Sequence, residues 1–132
     1  MKDMPLRSWR TWRLAVGIAI GAGLCCTTES PLSAMYRAEA DGDFASARAI
    51  AMRLSTAGDA VQRLGALRLL QRQKEFTAVA VGAEDAERTS TSDVYRTALL
   101  EVRTEALLAL GRDGDAIVAC RASVTQLPPM AL

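Results

Sequence analysis

The chain has 132 residues, half of them apolar but only 5% aromatic, so one domain with a core of Ala, Leu and Val is affordable, and helices are favoured over strands. Net charge is +1, with an excess of basic residues at the very front (Lys2, Arg7, Arg10 and Arg13 against Asp3), which leaves the body without the basic face that broad nucleic-acid binding needs. There is no histidine, and the cysteines are an adjacent pair (Cys25, Cys26) and a distant Cys120, which removes the usual general base, the usual zinc ligand and any C-x-x-C spacing.

The first segment is an address. Residues 14–26, "LAVGIAIGAGLCC", carry no charge; basic residues with Trp9 and Trp12 precede them, and the polar Thr27-Thr28-Glu29-Ser30-Pro31 follows. Basic, then apolar, then polar is the order of a secretory signal or an N-terminal anchor. The run is shorter than the roughly 20 residues of a full span, and the tryptophans suit the headgroup level. Gly21-Ala22-Gly23 offers small residues for cleavage. The layout also resembles bacterial lipoprotein signals, in which an apolar run ends at a cysteine. That resemblance implies acylation at Cys25 or Cys26, although Leu24 stands where those signals place a small residue. A cleaved signal, a retained anchor, a lipidated tether and a soluble helix all remain open here. Residues 1–29 are assigned to this signal or membrane anchor and 30–132 to the body.

From Ser30 onward, helix punctuation recurs. Ser30-Pro31 places a cap before proline at the first helical position and predicts a helix to Ala40. Gly42 suits a left-handed stop, and Asp43 caps a second helix carrying Ala47, Ile50, Ala51 and Leu54. Gly58-Asp59 punctuates again, with Asp59 and Gln62 at capping-box spacing. The third helix places Ala60, Val61, Leu64, Leu67 and Leu70 on one face and Leu69 opposite, so it is expected to lie between neighbours. A fourth runs from about Phe76 to Glu87. After the polar Thr89–Asp93 linker, Tyr95, Leu99, Val102 and Ala106 form the stripe of a fifth. Gly111 stops it, Asp113 or Gly114 restarts the chain, and a sixth occupies Ala116–Gln126 before Pro128-Pro129.

Three antiparallel helix hairpins follow from this pattern. The triplets Gly42-Asp43-Phe44, Lys74-Glu75-Phe76 and Arg112-Asp113-Gly114 sit at equivalent turns, at a period in the mid-thirties. Paired helices at that period are the signature of a helical solenoid. The last unit, "ALLALGRDGDAIVACRASVTQLPP" (residues 106–129), resembles the tetratricopeptide repeat: Gly111 before the turn, small Ala116, Cys120 at a core site, Ser123 at a small-residue site, Pro128 at the end. Departures are Leu100 for a large aromatic, Arg103 for leucine and Val79 for a small residue. The resemblance implies an all-α fold, a short right-handed solenoid preceded by an N-terminal apolar helix; a plain antiparallel bundle is the alternative. It also implies that the first helix of each hairpin lines a groove, presenting Tyr36, Glu39, Arg68, Gln71, Arg72, Glu101 and Glu105 to a protein or peptide partner.

Nothing in the sequence assembles a catalytic, metal or cofactor site. Glu101 and Glu105 share a helix face but alternate with Arg96, Arg103 and Thr104, the pattern of a solvated surface. Cys120 is expected in the core, with no histidine to activate it. No Walker loop, dinucleotide fingerprint or nucleophile elbow occurs. The expectation is a non-enzymatic interaction module without cofactor, small-molecule substrate or nucleic acid, exported to the cell envelope as a periplasmic or membrane-tethered protein. Its alternative is a structural subunit of a larger membrane-associated or secretion-type assembly.

Overall fold

The structure, a computed structural model, describes residues 28–125. The apolar run with Cys25 and Cys26, and the closing Pro128-Pro129, lie outside the described residues. The chain divides between Ser30 and Pro31, and every described helix belongs to the second unit. These are α1 (Pro31–Ala40), α2 (Phe44–Ala57), α3 (Ala60–Arg72), α4 (Phe76–Thr89), α5 (Asp93–Ala109) and α6 (Asp113–Val124), with no strand among the described residues.

The hairpin turns are built three times in the same way. Gly42, Lys74 and Gly111 have φ of +78°, +62° and +70°. At the first turn Asp43 N–H donates to Ala38 C=O (2.9 Å) and Gly42 N–H to Glu39 C=O (3.1 Å). Glu75 and Lys74 repeat this on Leu70 (2.9 Å) and Gln71 (3.0 Å), and Arg112 and Gly111 repeat it on Leu107 and Leu108 (both 2.9 Å). Each is a Schellman motif, in which one left-handed residue lets two amides close the orphan carbonyls of the helix end. The third triplet is therefore Gly111-Arg112-Asp113, one residue earlier than the sequence alone suggests. α6 begins at Asp113, one of the two restart residues, with Asp113 and Asp115 in a first turn whose dipole favours acids.

The α2–α3 connection differs. Gln62 N–H donates to Asp59 Oδ1 (2.9 Å) and Asp59 N–H to Gln62 Oε1 (3.0 Å), the predicted capping box. Arg63 reinforces the corner. Its guanidinium donates to Gly58 C=O (3.0 Å), Thr56 C=O (2.7 Å) and Thr89 Oγ1 (3.2 Å), joining the end of α2, the start of α3 and the end of α4.

The core runs through all three hairpins. Met35, Leu67, Leu69, Leu70, Val79 and Leu99 are its largest fully buried side chains, and much of the rest is alanine, which lets helices approach closely. Leu69 is buried although it lies off the main face of α3, because α3 has neighbours on several sides. Val61, expected on the buried face, is instead half exposed, as is Phe44, whereas Phe76 packs against the core. Each helix packs on the next; α1 also meets α3, α3 meets α5, and α2 meets α4. The backbones of α4 and α6 stay apart, and α1 does not reach α5 or α6.

Candidate binding surfaces

The residues predicted to face a partner fall into two groups. Four of them bind each other across the first helices of successive hairpins. Arg72 on α3 donates Nε to Glu39 Oε1 (2.9 Å) and Nη2 to Glu39 Oε2 (2.8 Å), a two-pronged pair that ties α3 to α1. Gln71 donates its amide to the Glu105 carboxylate and ties α3 to α5. The partners are 33 and 34 residues apart in the chain, close to the period of the hairpins. The Arg72 hydrogen bond holds the Glu39 carboxyl below its ordinary range and raises Arg72 in turn.

The remaining three lie open. The side chains of Arg68 and Glu101 are exposed and make no hydrogen bond or ion pair among the described residues, and Tyr36 is 42% exposed, with its hydroxyl beside Gly65. Arg68 and Arg72 stand one turn apart on α3, so the one free guanidinium of this pair adjoins the row of inter-helix ties. The 33–34-residue spacing is present in the sequence, but it does not by itself separate tying residues from free ones: Arg68 and Glu101, of opposite charge and also 33 apart, form no ion pair among the described residues.

A second surface was not anticipated. Between α4 and α6, along the Asp93–Arg103 part of α5, lies an open cleft of about 650 Å³, adjoined by a smaller hollow of about 240 Å³ that shares Glu84 and Arg103 with it. α5 has 17 residues against 13 in α3, and its additional N-terminal turn supplies Asp93 and Arg96 to the cleft rim. Arg103 crosses the cleft to Glu87 (3.0 Å) and Glu84 (3.4 Å). Its side chain is only 21% exposed and turns inward, not to solvent as the charge alternation suggests. Burial raises the Glu87 carboxyl above its ordinary range, against the opposing pull of Arg103. Glu87 Oε1 and Arg96 Nε are shielded and unpartnered among the described residues. The apolar contribution comes from Leu100, Ala119 and Ala122. Three acids and three arginines balance here, so the cleft suits a polar uncharged or zwitterionic group better than a strong ion.

Glu101, Glu105 and Cys120 line neither cavity and do not converge. The adjacent acids Glu84 and Asp85 take different partners: Glu84 meets Arg103, while Asp85 meets Arg88 (2.5 Å) and Arg63 (3.7 Å). Cys120 corrects the sequence reading. It is exposed, with Sγ 3.6 Å from Thr104 Oγ1 on α5, because α6 buries only Ala116 and Ala119 and no described helix covers its other flank. Among the described residues no cluster of three or more His, Cys, Asp or Glu could hold a metal, and no helix is long and apolar enough to cross a membrane. No family model, curated protein or solved structure matches this chain.

Proposed function

We propose that residues 30–132 form a short right-handed solenoid of the tetratricopeptide kind that serves as a non-enzymatic protein-interaction module. The observation that carries this reading is the thrice-built Schellman turn, reinforced by side-chain ties between first helices one period apart. A bundle closed around one axis would bring α1 near α5 or α6, and it comes near neither. Repeated hairpins that touch only their neighbours offer an extended surface.

In this reading α1, α3 and α5 line the partner-binding groove, and Tyr36, Arg68 and Glu101 do the contacting. The internal pairs Glu39–Arg72 and Gln71–Glu105 set the spacing of the helices and leave Arg68, among the described residues of the groove, as a free cation suited to an extended peptide with a carboxylate opposite it. Residues 1–29 export the module and hold it at the cell envelope, as a membrane-anchored or periplasmic protein, with Cys25 or Cys26 as the acylation site if the tether is lipid. The reading as a structural subunit of a larger envelope assembly draws on the open apolar edge at α6.

The test is capture of partners from envelope extracts by wild type and by Arg68→Glu/Glu101→Arg. Both positions are exposed and make no described bond, so helicity stays at the wild-type level and the captured set changes. An unchanged set, with the fold intact, refutes the groove.

A further inference from the structure

The last hairpin leaves open the positions that the first two hairpins use to hold their successors. Counting from the turn residues Gly42, Lys74 and Gly111, Thr104 corresponds to Met35 and Leu67, both fully buried. Cys120 corresponds to Ala51 and Ala83, also fully buried, yet Cys120 is exposed. Ile117 corresponds to buried Ala80 and to Arg48, which reaches Glu75 of the next hairpin (2.7 Å). Val124 corresponds to buried Ser55 and to Glu87, which reaches Arg103 of the next hairpin. Leu108 stands where Glu39 and Gln71 make their ties. Ile117, Val124 and Leu108 are 53%, 65% and 52% exposed. This edge is therefore built like an inter-hairpin interface, and apolar where the inner ones carry polar ties.

We propose that the edge is covered by a second copy of the same chain, with α6 packed antiparallel against α6 about a two-fold axis at Ile117. The charges on α6 select that occupant. Asp113 and Arg121 are exposed, of opposite sign, and their side chains make no hydrogen bond or ion pair among the described residues. They stand one turn before and one turn after Ile117, on the same flank of the helix. An antiparallel two-fold therefore brings Asp113 of each copy opposite Arg121 of the other, twice, with Ile117 meeting Ile117 between them. A parallel arrangement would set like charges together. The same register places Cys120 over Gly114, where nothing stands within 4 Å of an added Cβ. Such an interface is self-complementary and closes at two copies. It uses none of the residues assigned to partner capture, so Arg68→Glu/Glu101→Arg leaves it intact, and its loss leaves partner capture intact.

Sedimentation of the full chain in mild detergent tests this. Wild type gives a concentration-dependent dimer. Ile117→Asp, Asp113→Arg and Arg121→Asp each weaken it roughly tenfold or more, and the double reversal Asp113→Arg/Arg121→Asp restores it to within about threefold of wild type. In a background with Cys25, Cys26 and Cys120 changed to Ser, Ile117→Cys gives a disulfide-linked dimer under mild oxidation, whereas Val118→Cys on the adjoining flank does not. A chain that stays monomeric at high concentration, an open-ended polymer, or a dimer indifferent to Ile117→Asp and to the charge reversals overturns the proposal.

Discussion

Lys74 is the one residue other than glycine with a positive φ among the described residues, and it occupies the turn position that Gly42 and Gly111 fill elsewhere. A side chain in the left-handed region crowds its own carbonyl and costs about 1–2 kcal/mol relative to glycine. Glycine in turn makes the unfolded chain more flexible, which takes back about 0.4–1 kcal/mol. Lys74→Gly should therefore stabilise the fold by about 0.5–1 kcal/mol, and Gly42→Ala and Gly111→Ala should destabilise it by a similar amount. The comparison is clean because a Cβ at Gly42 or Gly111 meets nothing within 4 Å, so no collision adds to the backbone cost. For a domain of this size each kcal/mol moves Tm by about 4–8 °C. Urea and thermal unfolding followed by circular dichroism would resolve three shifts of these signs. A Lys74→Gly variant that is neutral or less stable, beside destabilised glycine variants, would refute the equivalence of the three turns.

Gly82→Ala should destabilise by about 1 kcal/mol, since its Cβ would lie 2.8 Å from Cδ2 of the fully buried Leu67; Gly65→Ala, facing the movable ends of Tyr36 and Leu32, should be close to neutral. Arg63→Met keeps the aliphatic stem but leaves the Gly58 and Thr56 carbonyls without their charged donor, and should lower stability by about 1–2 kcal/mol in chemical denaturation. Glu39, whose carboxyl is lowered by Arg72, contributes stability above the ordinary glutamate range that is lost as pH falls through its lowered value; Glu39→Gln should remove that acid-side loss. Glu87 behaves oppositely. Its raised carboxyl means the folded state holds the proton longer, so stability declines as pH rises from the ordinary glutamate range through the raised value, and unfolding curves of Glu87→Gln should lack that decline. Intact mass of membrane-extracted protein reads the fate of residues 1–29: a loss of the segment, an added acyl mass, or the full chain.

Much of the local architecture was legible. Proline after Ser30, the box at Asp59 and Gln62, and glycine at 42 and 111 act through bonds within a few residues, so the chain specifies them before it folds. The equivalence of Lys74 to Gly42 was legible from the matching triplets; that to Gly111 was not, because the third triplet reads one residue late in the sequence and lysine does not announce a left-handed turn. The candidate groove was legible only as a helix face. Which of its members bind each other depends on how far α3 slides along α1 and α5, and a sequence read one helix at a time does not contain that displacement. The cleft was missed for the same reason. Arg103 looks solvated on a helical projection, and only the separation of α4 from α6 lets it turn toward Glu84 and Glu87. Cys120 was misread because the repeat pattern assigns burial by position, while burial needs a neighbour.

Alone, then, the sequence determined roughly where the helices start and stop and the main stripe that most of them bury, since caps, turns and amphipathic spacing are short-range effects. Tertiary structure decided which charges are ties and which are free, where a cavity opens and which edge stays apolar and uncovered, because those outcomes depend on distances between residues some thirty positions apart.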